Sequence, residues 1–298
     1  MAVISDELHC DAVRVSGRDP ERLSIAAHCA AAAGLEVWFA PFPVDLPSDR
    51  LLLFFADCAR RAEAVRENGA EVVFGAGCEM SAFCGGFIPG DTYGDRLRTM
   101  AEAGLEWWHG LGLVQERLNA FLMRVAETAR AHFGGRITYA SAPWEFVDWR
   151  PFDLVGVDAY RAAYNADTFR SELRGHLAHG KPVAVTEYGT CAYRGAGERG
   201  GAAWQVPHGA VPDEDEQVRY AGPERRISAP TAWSACSMRH GGHRRRCSTR
   251  WQPGTAAAEG KDTRRRLRQQ SCEANLSPTR GVRVGDRAFD RLQKTFVF

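Results

Sequence analysis

The run Glu71-Val-Val-Phe-Gly-Ala-Gly-Cys-Glu79 (EVVFGAGCE) decides the reading of this chain. It is apolar nearly throughout and closes on an acid, as expected of a strand in a parallel sheet with both faces covered and a carboxyl at its C-terminal end. A dinucleotide-binding sheet would need a G-x-G-x-x-G turn here. Gly75 and Gly77 have the first spacing, but Met80 stands at the third position, so that fingerprint fails.

The same rhythm extends to both sides. Upstream, Cys10 to Ser16 (CDAVRVS) reads as a strand, and Asp19-Pro20 supply an N-cap and first helical residue for an Ala-rich helix ending at Gly34. Glu36 to Phe42 is a second strand, and Asp49 to Asn68 a helix closed by Gly69. Downstream, a helical region from about Asp95 to His132 ends at Gly134-Gly135. Arg136 to Ala142, Phe152 to Val157 and Pro182 to Thr186 complete six strands. Only the connection between the fourth and fifth is short for a full helix.

Repeated βα units make either a doubly wound sheet or a barrel. Polar and aromatic residues gather just after the strands: Arg14, Glu79, Trp144-Glu145, Asp158-Ala159-Tyr160 and Glu187-Tyr188. In a barrel all strand C-termini meet on one face, where the site lies. The expected fold is therefore α/β, a TIM-barrel-like (β/α)8 domain over residues 1–220, incomplete because its first and last strands are missing.

Composition agrees with an ordinary globular core: 298 residues, 45% hydrophobic and 25% charged. No stretch is long and apolar enough for a membrane span, and MAVISDELHC has no apolar signal-peptide core. Nine cysteines without framework spacing point to reduced thiols and a cytoplasmic protein. The net charge of +1 hides an asymmetry. Residues 221–298 hold 17 Lys+Arg against 6 Asp+Glu, leaving 21 against 31 in residues 1–220.

Glu79 and Glu187 each close an apolar strand. If a first strand precedes Met1, these are strands four and seven. That placement resembles the 4/7 superfamily, clan A of the glycoside hydrolases, whose strand-four glutamate is acid/base and strand-seven glutamate nucleophile. Retaining hydrolysis needs one protonated and one ionised carboxyl ~5–5.5 Å apart, and neighbouring carboxyls push their pKa values apart. The resemblance implies a substrate-binding role for Arg14, an arginine near the nucleophile, and for Tyr160, which can hydrogen-bond it. Trp38, Trp144 and Trp149 offer aromatic faces near strands or strand ends, with Trp144 the substrate-binding candidate and Trp38 more suited to the core. The clan carries Asn immediately before the acid/base, and here that position is Cys78. The loop Cys84 to Asp91 reads as a cover over the barrel mouth or as a plain loop.

Longer runs narrow the resemblance: LHCDAVRVSG, AAAAGLEVWFAPFPVDL, GCEMSAFCGGFIPGDT, GGRITYASAPWEFVDWRPFDLVGVDAY and GKPVAVTEYGTCAYRGA. They are similar to an actinobacterial family labelled "abortive infection protein", a hydrolase-like barrel family. This implies a role in phage defence, with a further strand and helix before Met1 and a last strand with aromatic residues after Tyr220.

Beyond Tyr220 the character changes. Residues 221–298 contain 10 Val, Ile, Leu and Phe in 78, too few to offset ordering entropy at this charge, so a disordered basic tail is expected. Its runs Arg244-Arg245-Arg246 and Arg264-Arg265-Arg266 could bind phosphates, and Cys236, His240, His243 and Cys247 could ligate zinc with non-standard spacing. The favoured reading is an out-of-frame translation of a GC-rich gene, because the pattern stops mid-helix.

The function expected is a glycoside-hydrolase-like barrel with Glu79 and Glu187 as the catalytic pair, a carbohydrate substrate, and no metal, cofactor or membrane partner. The alternatives are an inactive barrel that binds a ligand or partner, and a nucleic-acid binder acting through the tail. Oligomeric state is left open.

Overall fold

The computed structural model describes residues 1–104, 107, 110–225 and 232–234, with side chains as far as Tyr220. Seven strands form one parallel sheet in sequence order: β1 (Ala12–Gly17), β2 (Glu36–Pro41), β3 (Val72–Cys78), β4 (Arg136–Ser141), β5 (Val155–Asp158), β6 (Val183–Glu187) and the short β7 (Ala232–Ser234). Each strand pairs with the next, the pattern of an incomplete barrel, and β1 meets no second strand among the described residues. The helices that return the chain are α1 (Pro20–Ala32), α2 (Ser48–Glu67), the single turn α3 (Met80–Phe83), α4 (Tyr93–Glu102), α5 (Leu111–Arg130), α6 (Phe169–Gly175) and α7 (Asp215–Arg225).

Local chemistry fixes these elements. Asp19 caps α1 by accepting from the backbone N–H groups of Glu21 (2.9 Å) and Arg22 (3.2 Å), with Pro20 pre-set at the first helical position. In α2, Leu51, Phe55, Cys58, Ala59, Ala62 and Val65 recur at helical spacing and are fully buried. They pack on Val37, Phe39, Val72 and Phe74, which point outward from the sheet. Burying each large side chain in this layer contributes about 1.5–3 kcal/mol.

The intervening strand positions face the enclosed side, and there the sequence is not uniformly apolar. Arg14 pairs in register with Trp38, Gly75 with Thr138, and Cys78 with Ala140. Arg14, Thr138, Asp158 and Thr186 are all buried polar groups. The runs look apolar in sequence because the enclosed face alternates these polar groups with Gly75, Ala140, Gly156 and Ala184. Glycine at 156 has a steric cause: a Cβ there would collide with the Tyr139 carbonyl oxygen of the neighbouring strand.

One sequence expectation is corrected: the helix expected over 95–132 is not continuous, because Thr92 starts α4 with a capping box to Asp95, α4 ends at Glu102, and α5 begins at Leu111. The segment Cys84 to Asp91 is anchored: Cys84, Phe87 and Ile88 are buried in the core, and the Cys84 thiol donates to the Pro43 carbonyl at 3.1 Å. The Phe87 ring packs edge-on against Phe121 of α5.

Within the basic stretch, β7 continues the sheet beside β6, with Val185 opposite Ser234. The candidate zinc set Cys236, His240, His243 and Cys247 and both arginine triplets lie outside the described residues.

Candidate functional site

Two register shifts lie next to the candidate glutamates. One falls between Gly75 and Cys78 where β3 meets β4, the other between Val157 and Asp158 where β5 meets β6. Such irregularities re-aim side chains at the ends of strands, and here they bring Cys78, Asp158 and Glu187 together. The Sγ of Cys78 and carboxyl oxygens of Asp158 and Glu187 all lie within 4.8 Å of one another.

Glu187 is held at both oxygens. Arg14 Nη1 donates to its Oε1 at 2.6 Å, and the Tyr160 hydroxyl donates to its Oε2 at 2.8 Å. Arg14 comes from the middle of β1, on the far side of the sheet from β6, so the contact closes the enclosed side across its width. Burial alone would lower the Arg14 guanidinium, but its acidic neighbours, the bonded Glu187 foremost, outweigh it and hold it above its ordinary value. Tyr160 moves up, through burial and the neighbouring Glu187 and Asp158, and so stays a hydrogen-bond donor.

Glu79 sits immediately beyond β3 with φ 41° and ψ 43°, a left-handed backbone conformation that costs a non-glycine residue of order 1 kcal/mol or more. Its N–H donates to the Ala140 carbonyl at 2.9 Å, and its own carbonyl accepts from Ala82 and Phe83 as α3 begins. Burial raises its carboxyl well above the ordinary value, and the negative charges of Asp158, Glu187 and Glu145 raise it further. Glu79 therefore holds its proton at pH values where an exposed glutamate has lost it.

Sequence reasoning noticed Asp158 only as one polar residue after a strand. In the structure it is a third buried carboxyl of the cluster. The Thr186 hydroxyl donates to its Oδ1 at 2.7 Å, and the Cys78 thiol to its Oδ2 at 3.4 Å. The thiol has one proton, and Glu187 Oε1 at 3.6 Å is its alternative acceptor. Burial, then Asp158 and Glu187, push Cys78 well above its ordinary value, so it is a thiol and not a thiolate. Asp158 is raised likewise, first by burial and then by Glu187. These three side chains offer a cation one sulfur and two oxygen donors, but Arg14 already occupies Glu187 Oε1 as the resident positive charge.

Other aromatic and acidic candidates divide. Glu145 is fully engaged in structure, accepting from the Ser81 N–H (3.0 Å), the Tyr139 hydroxyl (2.8 Å) and the Ala142 N–H (3.1 Å). Trp144 is half-buried beside it, its indole N–H donating to Ser81 Oγ at 3.1 Å, two residues beyond Glu79. Trp149 is buried against Phe152 and belongs to the core. Trp38 lies on the enclosed side below the cluster, in register with Arg14.

No protein-family model and no curated protein matches the chain. Solved structures do. A GH113 β-1,4-mannanase superposes with a TM-score of 0.56 at 13% identity, covering 78% of this chain and 79% of that one. The GH113 β-mannanase AaManA from Alicyclobacillus acidocaldarius, in complex with ManMIm, gives 0.52 at 20% identity, over 75% and 72% of the two chains. A β-glucuronidase of Bacteroides uniformis gives 0.50 at 14% identity over 78% of this chain and 27% of that one. The fold is that of the glycoside hydrolase barrels. At these identities the likeness shows the fold alone, and nothing among the matches connects the chain with abortive infection.

Proposed function

We propose that this barrel hydrolyses a glycosidic bond with retention, Glu79 acting as general acid/base and Glu187 as nucleophile. One observation carries the reading: two strand-terminal carboxyls that act on one another electrostatically have different surroundings. Glu187 has a guanidinium and a phenol on its oxygens, whereas Glu79 has no ion-pair partner among the described residues and feels the charges of three acids. Unequal environments for a carboxyl pair are what acid and nucleophile roles require.

In the first step Glu79 gives its proton to the glycosidic oxygen as the bond to the anomeric carbon breaks. A Glu187 oxygen attacks that carbon from the opposite face and forms a glycosyl ester. In the second step water attacks the same carbon, Glu79 takes the water proton, and Glu187 leaves as carboxylate. Arg14 and Tyr160 hold Glu187 in place through both steps and receive the charge when it is released. Cys78, whose thiol lies beside Asp158 and Glu187, would offer the sugar of the ester a weak donor in the place of an amide.

The decisive experiment is hydrolysis by the purified chain of aryl β-mannoside and β-glucoside with a good leaving group, followed by product stereochemistry. Glu187→Gln is expected to abolish turnover. Glu79→Ala should keep measurable ester formation on the activated aryl substrate, which needs no proton, and lose at least about 100-fold on an unactivated disaccharide. Equal loss on both substrates would remove Glu79 from the acid role. A place in phage defence is a finer proposal that rests on the sequence resemblance of residues 1–220. It would be tested by whether expression of the Glu187→Gln chain protects a host culture less than the parent.

A further inference from the structure

The connection that leads into β6 carries two histidines three residues apart, at the end of the strand opposite to Glu187. α6 runs to Gly175, and the chain tightens at once into the 3-10 turn His176–His179. Gly180, at φ 66°, then turns it toward Val183. In a 3-10 turn residues i and i+3 eclipse, so His176 and His179 project from the same side. Their rings lie nearly parallel, with centroids 6.2 Å apart and planes at 27°. Glu172 stands four residues before His176, the spacing that puts two helical side chains on one face. The Thr168 hydroxyl donates to its Oε1 at 2.6 Å, which leaves Oε2 for another contact.

These groups are poised for an ion rather than for protons. Burial and then the neighbouring His179 hold His176 below its ordinary value, so at neutral pH its ring keeps a lone pair where a proton would sit. Two imidazoles this close resist taking two protons, but one divalent ion can serve both. An ion bonded to one nitrogen of each ring at about 2.0–2.1 Å, with the half-width of each imidazole added, holds ring centres at a spacing of this order. His176 is half-buried, whereas His179 and Glu172 are exposed. Solvent therefore gives an ion access to the pair, and the carboxylate is free to swing toward it.

The pair stands on a fixed floor. The His179 ring meets Trp149 edge-on with centroids 6.4 Å apart, and Trp149 is itself buried against Phe152. Lys181, two residues beyond His179, donates through Nζ to the carbonyls of Trp149 (2.6 Å), Arg150 (3.1 Å) and Phe152. Its ammonium is thus committed to the backbone beneath the histidines. A ring that only filled space against Trp149 would need no second imidazole beside it.

We infer that His176 and His179, with Glu172 as a third donor, form a site for a divalent transition ion of the zinc, copper and nickel class. Imidazole nitrogens suit these ions, whereas calcium and magnesium take oxygen ligands. The site precedes Val183 at the start of β6 and Glu187 closes that strand, so it does not depend on the hydrolytic reading. In a βα barrel the N-terminal end of the strands serves stability rather than chemistry. A bound ion would staple the last turn of α6 to the turn entering β6 and favour the folded chain.

The full chain, stripped with a chelator, is titrated calorimetrically with Zn2+ at neutral pH. His176→Ala and His179→Ala should each weaken one binding event at least about tenfold, Glu172→Gln should weaken it less, and Mg2+ should not reproduce it. Cu2+ gives a local readout, since a bound copper ion quenches a nearby indole. The quenching should shrink in Trp149→Phe and in both histidine variants. Thermal melts confirm that the variants fold, and Zn2+ should raise the melting temperature of the parent but not of the double alanine variant. A parent that takes up no Zn2+ overturns the site. So does a Zn2+ titration unchanged in the double variant, which would place the ion elsewhere, such as at Cys236, His240, His243 and Cys247.

Discussion

At the scale of single residues, the cluster holds more acid than base. Glu79, Asp158 and Glu187 face one cation, Arg14, in a buried setting, and both Glu79 and Asp158 respond by keeping their protons. A carboxyl whose pKa is raised on folding binds more protons in the folded state than in the unfolded one. Its contribution is complete below the unfolded pKa and is lost as pH rises toward the folded value. Stability should therefore fall above the ordinary carboxylate range, by up to about 1.4 kcal/mol per pH unit for each proton retained. Asp158→Asn keeps the acceptor for Thr186 and removes one of these protons, so denaturant melts of this variant should show a flatter decline between about pH 5 and pH 8. An unchanged slope would mean Asp158 ionises on the same schedule folded and unfolded. Both glutamates were legible from sequence, because each ended an apolar strand. Asp158 was noticed but given no role, since its partners Thr186 and Cys78 lie 28 and 80 positions away in the chain.

Among the elements, the enclosed sheet face and the buried Arg96 carry the sharpest expectations. Gly156→Ala drives a methyl into the Tyr139 carbonyl across the β4–β5 pairing, where backbone has no room to yield. It should cost about 2 kcal/mol or more, seen as a lowered melting temperature with an unchanged fold class by circular dichroism. Arg96→Met removes the clamp of four hydrogen bonds that this side chain gives to the Ala82, Gly90 and Phe83 carbonyls and to Asp45, and leaves Asp45 facing the gap; we expect about 3 kcal/mol, with tryptophan emission altered as the Tyr93–Trp204 contact loosens. Strands and most helices were readable from runs of β-branched residues and from caps such as Asp19-Pro20. The clamp was not. Arg96 sits in a helix with polar neighbours and looks like any solvated arginine until Asp45, Ala82 and Phe83 are folded around it. Of the tryptophans that stood near strands in sequence, Trp149 is core, Trp38 lies half-buried in register with Arg14, and Trp144 is half-buried with its indole bonded to Ser81.

For the molecule as a whole, the open sheet and the divided charge matter most. β1 has β2 on one side and no strand on the other among the described residues, and exposed strand edges recruit partners. The 298-residue chain should elute larger than a monomer in light-scattering chromatography, increasingly so with concentration; a sharp monomer at every concentration would count against this. The barrel itself was legible because polar residues follow the strands consistently, a periodicity that survives whatever lies at either end. β7 was not, since three residues in a stretch rich in arginine and poor in aliphatics carry too little pattern to stand out. Its direction nevertheless has a consequence. Because β7 runs parallel to β6, Ser234 ends on the side of the sheet where Glu187 closes its own strand. The charge imbalance of the sequence has a consequence too: residues 1–220 carry ten more acids than bases, and residues 221–298 eleven more bases than acids. Opposite charges on separate chains attract, so the self-association expected above should weaken as NaCl rises from about 0.05 to about 1 M and the screening length falls from roughly 13 Å to roughly 3 Å.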